Sequence, residues 1–264
     1  MDFPHNTHRL RRLEGDPMTT QSFDTHSSVW DENAKRDARW AVISDPAMVG
    51  KEWNDEGFFN SGRVDVDHYL TLAESAGALI NKAGEALDFG CGLGRLSQGL
   101  AAHFSKVTSL DVSPEMIRQA KELNKLPNIE FLANTKPDLS LIQAVSKDLV
   151  LSLIVIQHIP PPYSLQYLKD FARVLKKDGT LIVQVPSRRF RSPKNTLRKI
   201  IPEKIFRLKH KLTKSDQPYV TMFGIEKSKV VDLLQEHGLS LLKATPDTLA
   251  GDDWESFTYI AKKL

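Results

Sequence analysis

The strongest constraint on this chain is the stretch Ala86-Leu-Asp-Phe-Gly-Cys-Gly-Leu-Gly-Arg-Leu96. A short apolar run closes on an acid, and Gly90, Gly92 and Gly94 follow at two-residue intervals. Glycine lets the backbone take φ > 0 and lets a ligand approach the main chain with no Cβ in between. A helix is expected from Leu96 to Phe104, so the loop opens on a helix N-terminus whose unpaired N–H groups favour an anionic group. The spacing is not that of a dinucleotide loop. Counted from Gly90, G-x-G-x-x-G requires glycine at 95, where Arg95 stands. A tight turn without a ligand is the plainer reading of Gly-x-Gly alone, and the residues downstream decide between the two.

Lys106-Val-Thr-Ser-Leu-Asp111 reads as a second strand that also ends in a carboxylate, 17 residues beyond Gly94. In α/β nucleotide folds an acid at this strand tip holds the two ribose hydroxyls, and a carboxylate accepts two such bonds at once. Asp111 reads alternatively as a helix cap or turn residue. Ser113-Pro114-Glu115, however, already supplies an N-cap with proline at the first helical position.

Asp88-x-Gly-x-Gly-x-Gly94 resembles the glycine-rich signature of the class I S-adenosylmethionine-dependent methyltransferases, and the likeness continues downstream. Asp148 to His158 with Ile159-Pro-Pro-Pro162 resembles the family's fourth-strand motif, and Leu168 to Pro186 its next helix, glycine turn and fifth strand. The resemblance spans about Trp30 to Leu264. It implies an α/β fold with a doubly wound, mostly parallel seven-stranded sheet and an antiparallel edge hairpin. Strands are expected near 85–89, 106–110, 129–132, 149–156, 180–185, 239–245 and 256–262, the first five alternating with helices. Val29–Ile43 and Val64–Ile80 read as further helices. The chain then divides into a disordered tail (1–20), a helical N-terminal lid (21–80) and a cofactor-binding domain (81–264) with a basic helical insertion (187–215).

Ligands in open α/β sheets bind beyond the carboxyl ends of the strands, where Asp88, Asp111, Asn134, Gln157 and His158 fall. The resemblance implies S-adenosyl-L-methionine as cofactor. Asp88 orders the loop and meets the methionine amino group, Gly90, Cys91, Gly92 and Gly94 form the loop, and Asp111 and Val112 close the second strand. Met116 and Asn134 are placed to contact adenine. The family often carries aspartate where Asn134 stands. An amide oxygen still accepts from the adenine amino group, and Thr135 is an equally placed alternative.

The sulfonium carries its own leaving group, so catalysis is in-line positioning plus removal of the acceptor's proton. His158 is the candidate base, because imidazole titrates near neutrality; alternatively it caps the next helix or fixes its loop. Gly50 to Arg63 reads as a glycine-punctuated loop over the site. Trp53 and Phe59 either wall the pocket or pack the lid, and Arg63 is placed to pair with the cofactor's carboxylate. Pro160-Pro-Pro-Tyr163 lacks the Asn or Asp that precedes the prolines in amino-directed nucleic-acid methyltransferases, and starts a helix more simply.

Composition fits one sizeable α/β domain: 264 residues, 41% hydrophobic and 26% charged. Leu149–Ile156, the longest apolar run, falls far short of the roughly 20 residues of a spanning helix. Cys91 is the only cysteine, which excludes an intrachain disulfide and fits a reducing cytoplasm; nothing near it completes a metal or nucleophile set. No secretory leader is expected in residues 1–20, and Met18 is an alternative start.

The charge is uneven. Residues 187–215 carry eleven Lys and Arg against Glu203 alone, a local net charge of +10, so the remainder of a chain at +3 carries −7. Leu197, Ile200, Ile201, Ile205, Leu208 and Leu212 recur at helical spacing around Pro202. Three readings stand: a helix docked by its apolar face, an acidic-acceptor pocket, or peripheral contact with an anionic membrane at its inner face. The paucity of interleaved aromatics argues against nucleic acid. The function expected is methyl transfer to a small or lipid-linked acceptor, most simply at oxygen. A non-catalytic cofactor-binding protein would bind without turnover, and an RNA methyltransferase would show RNA affinity that falls steeply with salt.

Overall fold

Seven strands form one sheet in the computed structural model, which describes residues 22–43, 54–190, 205 and 220–264. They are β1 (Glu85–Phe89), β2 (Lys106–Asp111), β3 (Ile129–Ala133), β4 (Lys147–Ser152), β5 (Leu175–Arg189), β6 (Leu239–Asp247) and β7 (Trp254–Lys263). The order is β3-β2-β1-β4-β5-β7-β6. The first five are parallel, and β7 runs antiparallel between β5 and β6. The chain works outward through β1, β2 and β3, then returns to place β4 on the other side of β1. The strand order therefore reverses between β1 and β4, where a crevice opens beyond the carboxyl ends.

Helices α1 (Phe23–Ile43), α2 (Asp55–Ser75), α3 (Arg95–Ala101), α4 (Pro114–Leu123), α5 (Pro161–Val174) and α6 (Lys227–Glu236) accompany the sheet. Strand side chains point alternately to its two faces. Leu87 and Phe89, Val150, Leu181 and Val183 join one core with Tyr167, Phe171, Val230 and Leu234 of α5 and α6. Ala86, Leu149, Leu151 and Ile182 join a second core with Val66 and Leu70 of α2 and Leu96 and Leu100 of α3. Cover on both faces is the doubly wound arrangement the sequence predicts.

The boundaries differ in places, each for a local reason. α1 begins at Phe23, six residues before the expected Val29, and bends at Asp37, whose extended backbone (φ −155°) and side-chain bond from Trp40 N at 3.0 Å restart the helix. Asp55–Arg63, expected as loop, is the start of α2. Asn54 caps it by accepting from Glu56 N at 2.9 Å, and Asp55 and Glu56 suit the positive end of the helix. Its two glycines do not break it, because Gly62 lies so close to the Arg95 backbone of α3 that no Cβ fits. β4 stops at Ser152 and the chain turns into a short 3₁₀ helix, Ile156–His158; β5 extends to Leu175–Arg189, and α5 correspondingly ends at Val174. The expected tail and Met18, Trp53 and most of the basic segment lie outside the described residues. No described helix is long and apolar enough to cross a membrane.

Candidate active site

The glycine loop is wired to the neighbouring strand. Gly90 N and Cys91 N both donate to Leu110 O, at 2.8 and 2.9 Å, and Gly92 N donates to Asp111 Oδ2 at 2.9 Å. Gly90 takes φ +78°, and a Cβ there would run into the Val155 side chain. Gly94 takes φ +84° at the start of α3, where a Cβ would lie 2.7 Å from Phe131 Cζ. The turn thus needs glycine for backbone conformation and for space together.

Asp111 Oδ1 accepts from Ser113 N at 2.9 Å, and Ser113 caps α4 through Met116 N at 3.1 Å. The Asp111 carboxylate is thus met by backbone N–H groups, those of Gly92, Ser113 and Val112. Burial raises its carboxyl above the usual range, against the pull of those backbone bonds.

Beyond the carboxyl ends of β1, β2 and β4 lies a cavity of about 720 Å³, partly open to solvent. Seven of the sequence-predicted residues line it: Gly90, Gly92, Asp111, Val112, Met116, Asn134 and His158. Asn134 is buried, and its Nδ2 donates to Asp138 O at 3.0 Å and Tyr167 Oη at 3.4 Å. Its Oδ1 has no hydrogen-bond partner among the described residues.

Other predicted residues stand one layer back. Asp88 does not reach the cavity. Its Oδ2 accepts from Ser97 Oγ at 2.6 Å, tying β1 to α3, and burial pushes its carboxyl up to about 6. Cys91 is buried against Ile117, Ala120 and Phe131, and burial raises its thiol. Gln157 is buried behind His158, accepting from Gln184 Nε2 at 3.2 Å while Gln184 Nε2 also donates to Ser256 Oγ at 2.7 Å.

Two expected residues lie away from the cavity, and Phe59 takes one of its two alternatives. Arg63 is exposed on α2, and Thr135 is exposed past Asn134; neither lines the cavity. Phe59 is buried in the α1–α2 cluster, 5.2 Å from the Phe58 ring, and packs rather than walls the pocket. Arg95 turns away from the loop and bonds Asp65 Oδ2 of α2 at 2.5 Å.

His158 is held on both sides. Its Nδ1 lies 3.3 Å from Thr221 O and its Nε2 3.1 Å from Gln157 Nε2. A carbonyl requires an N–H opposite it, so Nδ1 donates and the Nε2 lone pair receives the Gln157 amide. Burial lowers this imidazole to about 4, so it is neutral at neutral pH.

Sequence reasoning missed the far wall, supplied by α1. Phe23, His26 and Trp30, at i, i+3 and i+7, line the cavity. The Trp30 ring sits 5.0 Å from His158, and Phe23 meets Tyr163 edge-on at 5.5 Å. The stripe is visible in the sequence once the helix is started at Phe23. Farther along α1, Val42 also lines the cavity, and its Cγ2 occupies the space a Cβ on Gly92 would need. Asp31 anchors the helix, its Oδ1 accepting from Ser113 Oγ at 2.8 Å and Glu115 N at 3.0 Å. Among the described residues no group of three His, Cys, Asp or Glu is arranged to hold a metal ion.

Residues 86–179 match the family model described as "Methyltransferase domain". A ubiquinone biosynthesis O-methyltransferase of Xanthomonas oryzae pv. oryzae is 27% identical over 148 residues, 54% of this chain and 59% of that protein. One of Xanthomonas campestris pv. campestris is 31% identical over the same shares. The chain thus spans about three-fifths of the length of these curated relatives. The magnesium protoporphyrin IX methyltransferase of Synechocystis PCC 6803 superimposes with a TM-score of 0.58 at 18% identity, covering 90% of this chain and all of that one. Phosphoethanolamine N-methyltransferase 1 of Haemonchus contortus gives 0.62 at 14% identity, covering 92% of this chain and 50% of that one. Residues 86–179 thus match a methyltransferase domain, and the chain shares its fold with these solved methyltransferases.

Proposed function

We propose that this protein transfers a methyl group from S-adenosylmethionine to an oxygen of a small or lipid-linked acceptor. The observation that carries the reading is the unpaired Asn134 Oδ1, buried at the cavity wall near the end of β3, beside a β2 carboxylate to which only backbone N–H groups donate. A buried polar atom without a partner is costly, and a ligand that supplies a donor removes the cost. An adenosine fits both groups: its amino group meets Asn134 Oδ1, and its ribose diol meets Asp111.

Gly90 and Gly92 would give the methionine part its close approach to the backbone, with Val112 and Met116 flanking the base. Once bound, the cofactor supplies an electrophilic methyl group on a sulfonium. The chain's own contribution is to position an acceptor opposite that methyl, exclude water and remove the acceptor's proton. α1 closes the acceptor side with aromatic rings. The O-methyltransferase relatives favour oxygen over nitrogen. A lipid-linked acceptor and peripheral membrane contact are supported by the +10 charge of residues 187–215.

Isothermal titration with S-adenosylhomocysteine tests the core of this reading. Micromolar or tighter binding is expected, and a folded protein that gives no heat refutes it. Removal of residues 191–211 tests the lipid reading: affinity for vesicles containing anionic lipid is expected to fall, and unchanged affinity withdraws it.

A further inference from the structure

His26 was not among the residues the glycine-loop pattern points to, yet it has the chemistry the acceptor end requires. It is 4% exposed, lines the cavity, and its ring has no hydrogen-bond partner among the described residues. Its ring neighbours are Phe23 at 6.1 Å and Trp30 at 6.4 Å, neither of which offers a lone pair in the ring plane. An imidazole whose nitrogens are not taken by the chain is free to bond a molecule in the cavity.

His158 is in the opposite condition. Its N–H faces a carbonyl and its lone pair an amide, and Gln157 is itself fixed by Gln184. The Trp30 ring is within ring-contact distance of both imidazoles. His26 is also well placed relative to the cofactor corner. Ser27 Oγ, its neighbour on α1, donates to Val112 O at 3.3 Å, and Asp31 binds the first turn of α4. The same Ser113 that bonds Asp31 is bonded by Asp111.

We infer that His26, carried into the cavity by α1, is the group that takes the acceptor's proton, and that His158 positions the Trp30 wall. The inference rests on the methyltransferase reading above. The acceptor's oxygen forms a bond to the methyl carbon, and the carbon–sulfur bond breaks with its pair remaining on sulfur. The acceptor's proton passes to the free nitrogen of His26, which releases it to solvent. Burial keeps this imidazole neutral, with the nearby His158 adding to the effect, so its lone pair is available.

The lining also selects the acceptor. The lining beside His26 is aromatic, from Phe23 and Trp30. A neutral hydroxyl suits it, and a phenol, with a pKa of about 10 like that of tyrosine, is the hydroxyl most easily deprotonated by an imidazole. Rings at Phe23 and Trp30 provide flat apolar walls for it.

Catechol is the probe. The wild-type protein is expected to bind S-adenosylhomocysteine and, with S-adenosylmethionine, to methylate catechol. His26→Gln should bind S-adenosylhomocysteine within about twofold of wild type but methylate catechol about 10²- to 10⁴-fold more slowly, with the rate of His26→Gly partly restored by added imidazole. His158→Gln should lose less rate than His26→Gln. A readout that needs no turnover and no variant is the ring resonance of His26 in histidine-labelled wild-type protein. It should shift when catechol is added to the S-adenosylhomocysteine complex. An unmoved resonance, a wild-type rate in His26→Gln, or no methylation of catechol by protein that binds S-adenosylhomocysteine overturns the inference and leaves the methyltransferase reading in place. No binding of S-adenosylhomocysteine overturns both.

Discussion

The two ends of the parallel strands treat polar groups in opposite ways. Where β1 and β4 begin, Lys147 is buried and bonds Glu85 Oε2 and Thr108 Oγ1, each at 2.8 Å. Asp148 beside it takes Lys176 Nζ at 2.6 Å, Glu85 N at 2.8 Å and Asn81 Nδ2 at 2.9 Å. Where the strands finish, Asn134 Oδ1 is buried with no hydrogen-bond partner among the described residues, and the Asp111 carboxylate is met by backbone N–H groups alone. The residue types are similar; what differs is whether the partner belongs to the chain. Pairing at the first end contributes to folding. At the second, the unmet bonds cost stability in the free protein and are returned on binding.

The comparison breaks most readily at Gly90. A valine there meets two obstacles at once, the positive φ and the Val155 side chain. S-adenosylhomocysteine affinity is expected to fall by more than about 10³-fold, equivalent to over 4 kcal/mol. Adding Val155→Ala should recover part of the thermal stability but little of the affinity, since it relieves the contact and leaves the φ. Calorimetry and melting curves on both variants separate these effects.

Acid pH probes the unpaired end next. In the unfolded chain His26 and His158 protonate near 6.5, whereas in the folded chain each is held to about 4. Between those values the unfolded state binds more protons, so stability is full above pH 6.5, falls as pH drops to about 4, and then levels. Each displacement corresponds to about 3 kcal/mol. Asp88 acts with the opposite sign: raised from 3.8 to about 6, it takes its proton first in the folded state and adds stability as pH falls between those values. Urea midpoints measured from pH 7.5 to 4 should therefore decline in the wild type. The decline should be shallower in His26→Gln and steeper in Asp88→Asn. A flat wild-type profile would show that the imidazoles are not held neutral.

The cofactor half of the site was largely legible because its residues do their work through backbone demands that sequence displays. Glycine at 90 and 94, an acid at the tip of β2, and Ser113 followed by Pro114 each admit few conformations. The acceptor half was not, because it is made by tertiary approach. Nothing local in Phe23, His26 or Trp30 says that α1 packs against α4 rather than lying elsewhere, and starting the helix at Val29 divided the stripe. Arg63 was misjudged for a related reason. Gly57 and Gly62 suggest a loop, but Gly62 is there for helix contact against Arg95, and the helix it permits turns Arg63 to solvent. Asp88 was expected at the ligand and is instead spent on Ser97.

A matched pair of substitutions sharpens the contrast. Asp111→Ala should weaken S-adenosylhomocysteine binding by about 1.5–3 kcal/mol, the scale of hydrogen bonds to a charged group. Glu85→Gln, at the paired end, should lower stability by about 1 kcal/mol, its carboxylate being partly screened by solvent. It should leave that affinity unchanged. If Glu85→Gln alters affinity as much as Asp111→Ala, the two ends are not functionally separate.

Asn134 gives the smallest effect and the cleanest sign. Replacing it with leucine removes an Oδ1 that is buried and unpaired, together with the Nδ2 bonds to Asp138 O and Tyr167 Oη. The first loss relieves a penalty and the second removes ordinary bonds of about 1 kcal/mol, so the melting temperature of the free protein should change little. The complex loses its acceptor for the adenine amino group, and affinity should drop about fivefold, close to 1 kcal/mol. Asn134→Asp keeps an oxygen at that place and should hold the affinity near wild type. A leucine variant that binds as tightly as the wild type would mean the adenine amino group is met elsewhere, and the orphan oxygen would then need a different ligand to explain it.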